Sequence, residues 1–218
     1  MSQLMTVYHK LHNHYGPRDW WPAETPFEVV IGAILTQNTN WNNVEKAIIN
    51  LRNAAALTCS AIDSLSREKL EELIRPSGFF RQKAERLQLF CDYLNTHYRG
   101  SLSAMLDQDL PQVRRELLQL KGIGPETADS ILLYAGQRPS FVVDAYTMRL
   151  FSRLGVINGQ ENYEQVRELF MSDLACDVRL YNEYHALIVM HCKIICRKKP
   201  LCYDCSIRDI CPYIKENS

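Results

Sequence analysis

The sequence predicts an all-α fold. Apolar residues recur at helical spacing in one segment after another, no stretch alternates with period two for long enough to argue for a sheet, and Gly, Pro and small polar clusters separate the segments. Residues 3–14 place Leu4, Val7, Tyr8 and Leu11 on one side of a helix that Gly16-Pro17 stops. Trp20-Trp21-Pro22 follows, with helix disfavoured at Trp21 by the next proline. Thr25 and Glu28 make a capping-box pattern that opens a helix over 26–35, PFEVVIGAIL, apolar nearly all round and expected in the core. Thr36-Gln37-Asn38-Thr39-Asn40 then leads to Trp41; this polar loop suits either a hydrophilic turn or a surface that meets base edges. Further helices are expected over 42–53, 60–75, 80–97, 110–120, 125–135, 145–154, 162–174 and 178–194, with Pro76-Ser77-Gly78 the clearest turn.

Between Leu120 and Asp144 the chain reads LKGIGPETADSILLYAGQRPSFVVD. Gly122 and Gly124 flank Ile123 in a turn that calls for positive φ or close backbone approach, and Pro125 fits a first helical position. The unpaired amides after Gly124 can hold an anion such as a DNA phosphate, although an ordinary helical hairpin would look the same. Asp144 precedes a new helix and is most simply its N-cap, with a second oxygen left to face a cleft.

The 218 residues suffice for one or two domains with a buried core. Twenty-five basic and 25 acidic side chains leave no net charge, which argues against a non-specific polyanion binder but permits a local basic face. No targeting signal or membrane-length apolar run is present, so a cytoplasmic location is expected. Cys59, Cys91 and Cys176 are scattered, as small buried residues are, whereas five cysteines crowd between 192 and 211. In a reducing compartment such a cluster points to metal. Cys196, Cys202, Cys205 and Cys211 are spaced C-x5-C-x2-C-x5-C, which suits an iron–sulfur cluster or a structural zinc. The single C-x2-C pair favours iron–sulfur, and Cys192, one helical turn earlier, is the spare. Arg197, Lys198 and Lys199 lie between the first two ligands, where a metal would fix them as a basic patch for phosphates.

The glycine hairpin, an aspartate 18 residues beyond Glu126 and a C-terminal four-cysteine loop together resemble the helix-hairpin-helix (HhH-GPD) DNA glycosylase superfamily, in its endonuclease III branch, over roughly residues 22–212. The resemblance implies two helical lobes with the active cleft between them. One lobe spans 22–133; the other joins 1–21 to 134–218 and carries a 4Fe-4S cluster in the loop 196–211. It implies a monomer that binds double-stranded DNA and flips out a damaged base. Asp144 matches the catalytic aspartate, Leu120, Gly122, Ile123 and Gly124 match the phosphate-binding hairpin, and Cys196, Cys202, Cys205 and Cys211 match the cluster ligands. Gln37 falls where a residue fills the gap left in the duplex.

Bifunctional members carry an imine-forming lysine where this chain has Glu126, so lyase action is not expected, and Glu126 becomes a candidate to line the cleft. KGIGPETAD, Trp20-Trp21-Pro22 and LTQNTNW are also similar to the bacterial 3-methyladenine glycosylase III subgroup, some of whose members lack the cluster cysteines. That similarity implies base-stacking roles for Trp20 and Trp41; Lys193 and His191 are further candidates to border the pocket. The expected activity is hydrolysis of the glycosidic bond of an alkylated purine. The alternatives are a bifunctional glycosylase and lyase acting on oxidised pyrimidines, or a non-catalytic binder of damaged DNA.

Overall fold

A computed structural model of the chain describes residues 2–18 and 23–216. Its elements are α1 (Gln3–Tyr15), α2 (Pro26–Leu35), α3 (Trp41–Asn53), α4 (Cys59–Ser64), α5 (Arg67–Ile74), α6 (Phe80–Tyr98), α7 (Leu102–Leu106), α8 (Leu110–Gln119), α9 (Pro125–Ser130), α10 (Ala145–Arg153), α11 (Tyr163–Asp173), α12 (Val178–Ile194) and α13 (Pro212–Glu216). No strand occurs among the described residues. The all-α class read from the periodicity is the observed one.

Three departures have local causes. The single helix expected over 60–75 is two: Leu65 is extended, and the Ser66 hydroxyl accepts from the Lys69 amide at 3.2 Å, capping a fresh start. α7 exists because Ser101 caps it in the same way, taking the Ala104 amide at 3.1 Å. Beyond α9 the helix continues to Ala135 as a π-turn over Ile131–Ala135, where the Gly136 amide reaches back to the Ile131 carbonyl at 2.9 Å.

The chain divides into two compact units, residues 21–138 and residues 1–20 with 139–218. In the first unit every residue of α2 from Glu28 to Leu35 is buried, and the helix packs against α3, α6, α9 and the π-turn. Its C-terminal carbonyls would otherwise lack partners; the ammonium of Lys83, itself only 1% exposed, donates to the Leu35 carbonyl at 2.8 Å and to that of Ser77 at 2.7 Å. Burial, with Arg86 nearby, pushes the Lys83 amine down to about 8. Glu28, also buried, is neutralised by Arg52 at 2.8 Å. Asp129, fully buried in α9, takes a two-pronged contact from Arg114 of α8, at 2.8 and 3.0 Å.

In the second unit α12 is the core helix, burying Tyr181, Tyr184, His185 and the run from Ala186 to Val189 against α1 and α10. Phe141, Phe151, Phe170 and Tyr184 form one aromatic cluster, with Phe141 stacked on Phe170 at 4.2 Å. The Tyr184 hydroxyl donates to the Leu4 carbonyl at 2.6 Å, which fixes α1 on this core.

Asp129→Ala strands the Arg114 cation beside α9, and loss of one partner of such a buried pair costs about 3 kcal/mol. Thermal unfolding should show the midpoint falling by several degrees, with replacement of both partners by apolar residues less harmful than the single change.

Candidate active site, hairpin and cysteine loop

α8 ends at Leu120, and the turn to α9 is closed by the Ile123 amide donating to the Leu120 carbonyl at 3.0 Å. Ile123 is buried and anchors the turn. Gly122 has φ +85°, which favours glycine, and a Cβ there would displace the Arg86 side chain. Gly124 differs from expectation: it is extended, with φ −89°, and no protein atom lies where its side chain would be. Its amide face is exposed at the start of α9, which has no side-chain cap.

Gln37 ties the α2–α3 loop to this turn. Its Nε2 donates to the Gly122 carbonyl and to the Thr127 hydroxyl, both at 3.0 Å, and its Oε1 accepts from Arg86. Lys121 reaches Glu85 at 2.6 Å on the exposed side. Glu126 is exposed in the first turn of α9, and Trp41 is the half-buried first residue of α3, behind the cap formed by Asn40 on the Asn43 amide. Trp20 falls outside the described residues.

Asp144 caps α10 as the sequence predicts. Oδ1 accepts from the Thr147 amide at 2.7 Å and from the Thr147 hydroxyl at 3.0 Å, while Oδ2 lies 3.5 Å from Nε2 of His185. Burial pushes the carboxyl up, but the His185 contact and the two Thr147 bonds outweigh it and hold Asp144 below the usual carboxylate range. The group is therefore an anion at neutral pH with one oxygen saturated by its own helix.

Cys196, Cys202, Cys205 and Cys211 line one cavity, whose walls include Leu150, Ile195, Ile207 and Ile214. Among the described residues no three His, Cys, Asp or Glu side chains gather tightly enough to hold a single metal ion. The four thiols stand around a space instead. Hydrogen-bond donors face the sulfurs: Arg153 Nη1 is 3.2 Å from Cys196 Sγ and His191 Nε2 is 3.6 Å from Cys205 Sγ. The Tyr15 hydroxyl lies 2.9 Å from Nδ1 of His191, and Nε2 of the same ring faces Cys205. Burial, with His14 adding to it, pushes the His191 imidazole down to about 4, so the ring is neutral. Cys192 lies outside this lining and directs its thiol to the Tyr146 carbonyl at 3.6 Å.

The loop that follows is gripped from α10. Arg149 donates to the Cys196 carbonyl at 2.9 Å, and Arg153 to the carbonyls of Arg197 at 2.7 Å and Lys198 at 3.1 Å. With the carbonyls of Arg197 and Lys198 held by Arg153, Arg197, Lys198 and Lys199 are all exposed. Lys193 is exposed on the last turn of α12, whereas His191 is buried at the cysteine cavity. Sequence reading missed His185, Arg86, Arg149, Arg153 and Tyr15. The spacing of Arg149 and Arg153 on one face of α10 was the one visible sign of a shared task.

Asp144→Ala removes the cap and should cost about 1 kcal/mol at neutral pH. Because the folded carboxyl titrates below its unfolded value, this contribution is complete above the ordinary aspartate range and is lost as pH falls through the depressed one. Unfolding curves of wild type and variant should thus converge on acidification.

Residues 31–176 match the HhH-GPD superfamily of base excision DNA repair proteins. A protein of Methanocaldococcus jannaschii named as a candidate DNA repair glycosylase is 52% identical over 211 residues, covering 96% of each chain. Among solved structures, an endonuclease III–DNA complex superposes with a TM-score of 0.85 at 22% identity, covering 100% of this chain and 99% of the other. The Helicobacter pylori 3-methyladenine DNA glycosylase bound to 1,N6-ethenoadenine gives 0.75 at 30% identity, over 87% of this chain and 97% of its own. With the hairpin, the capping aspartate and these matches in agreement, the chain belongs to the HhH-GPD superfamily of base excision DNA repair glycosylases.

Proposed function

We propose that this glycosylase is monofunctional: it hydrolyses the glycosidic bond of a damaged base, an alkylated purine for preference, without cutting the strand. Glu126 carries the reading. An exposed carboxylate occupies the position at which bifunctional members have their imine-forming lysine. The nearby amines have other partners, Lys121 with Glu85 and Lys83 with two backbone carbonyls. The 30% identity to a 3-methyladenine glycosylase supports the substrate class.

In this mechanism the bond from the anomeric carbon to the base nitrogen breaks and the base leaves with the electron pair. An N-alkylated purine already carries a positive charge, so it departs neutral without a strong general acid. The Asp144 carboxylate stabilises the sugar cation, and a water adds to the anomeric carbon and loses its proton to that carboxylate or to solvent. The open amides at Gly124 and the start of α9 take a phosphate of double-stranded DNA, with Leu120, Gly122 and Ile123 shaping the turn, and Arg197, Lys198 and Lys199 take others. The flipped base stacks on Trp41. Gln37 fills the vacated space only by exchanging its bonds to Gly122, Thr127 and Arg86 for bonds to DNA.

The cysteine cavity fits a 4Fe-4S cluster better than the zinc alternative. A lone zinc draws its sulfurs to about 2.3 Å from one point, whereas these thiols surround a space and face N–H donors of the kind that tune clusters. Bound there by Cys196, Cys202, Cys205 and Cys211, the cluster supplies a rigid anchor for the basic loop.

Methylated duplex DNA tests the activity. Wild type should release free methylpurines and form no adduct on borohydride treatment, and Asp144→Asn, which keeps a helix cap, should lose about 10²–10⁴-fold in release. A borohydride-trapped adduct would establish the bifunctional alternative; lesion binding with no release would make the protein a damage binder. For the cofactor, purified protein should be brown and contain iron and acid-labile sulfide in equal amounts, and Cys202→Ala should be colourless; a zinc-loaded, colourless wild type would sink the assignment.

A further inference from the structure

We propose that His185 is the positioning residue for Asp144, its Nε2–H donating to Oδ2 and aiming the one carboxylate oxygen that α10 leaves available. This rests on the glycosylase reading above and adds to it a group from a different helix. Thr147 occupies Oδ1 with two hydrogen bonds, so any water or sugar cation must be served by Oδ2. An ionised carboxylate oxygen accepts at two lone-pair sites. His185 faces Oδ2 from 3.5 Å, which leaves the second site for the reacting group.

The histidine cannot swing away. Its side chain is 7% exposed, it sits mid-way along α12 between buried Tyr184 and Ala186, and α12 packs directly against α10. At 3.5 Å the contact is longer than a good hydrogen bond, as such contacts are before substrate closes them. Donation to Oδ2 favours the ionised form and makes the oxygen a weaker proton acceptor. Asp144 then serves chiefly as a fixed anion opposite the developing sugar cation, with water activation secondary.

A core histidine that merely fills space would tolerate any residue of similar volume, and a donor should not matter. His185→Leu removes the donor, and His185→Gln returns an N–H close to the Nε2 position. On methylated duplex DNA, single-turnover release by His185→Leu should fall roughly 10–100-fold, the range for a lost hydrogen bond to a charged group. Affinity for the same DNA should be unchanged, and His185→Gln should recover most of the rate. Carboxyl-carbon NMR should show Asp144 titrating higher in His185→Leu than in wild type, a readout that needs no substrate and reports on a folded protein. Wild-type rates in His185→Leu, a glutamine no better than leucine, a loss confined to DNA affinity, or an unmoved Asp144 titration would each overturn the proposal. Asp144→Asn run alongside separates the two levels: full base release by that variant removes the mechanism itself, whereas its inactivity beside an active His185→Leu removes only the histidine.

Discussion

The two hydrogen bonds from Thr147 to Asp144 are the interaction on which the arrangement of the second unit depends. They start α10, and α10 then does two jobs along its length. Thr147 in its first turn holds the capping Asp144 carboxylate, which faces His185; further along, Arg149 and Arg153 hold the backbone of the cysteine loop. A change that loosened the cap would move the carboxylate and would also shift the arginines that present Arg197, Lys198 and Lys199 to solvent. The arginines that hold the cysteine loop thus share one rigid support, α10, with the Asp144 carboxylate.

The first unit solves a parallel problem at its own helix ends. Lys83 satisfies the Leu35 carbonyl at the end of α2, where the polar loop begins; Gln37 in that loop, with Arg86, braces the hairpin from outside. The start of α9 has no side-chain cap, and no protein atom lies where a side chain on Gly124 would be. A buried lysine is a costly way to finish a helix: Lys83 is held by two carbonyls, and burial with Arg86 nearby depresses its amine. Rigidity under the loop is what that cost secures.

Local chemistry made much of this legible from sequence. Asp144 as a cap, Gly122 as a left-handed turn residue, PFEVVIGAIL as the core helix and the grouping of four cysteines all follow from rules that act within a few residues. Gly124 departs from the expectation, since its φ is −89° and no protein atom approaches the place of its side chain. His185 lies 41 positions from Asp144, and on an apolar helix a histidine looks like any other core residue. Arg86 over Gly122 and Gln37 on Thr127 depend equally on tertiary packing, which periodicity does not encode. The break at Leu65 was obscured because the apolar spacing continues through it, while the serine cap decides the backbone.

The π-turn at Ile131–Ala135 carries a consequence for how this segment tolerates change in length. One extra residue in a turn rotates everything beyond it by about 100° relative to a regular helix. All five residues of the turn are buried, and just past it Arg138 delivers its guanidinium to the carbonyls of Leu106 and Gln108 at 2.7 and 2.9 Å. Deleting any single residue here would restore ideal helical hydrogen bonding and improve the segment as a helix. It would also turn Arg138 away from α7, so the irregular winding is the form in which helix and neighbour agree, and the register of 131–135 is fixed by a partner 30 residues upstream.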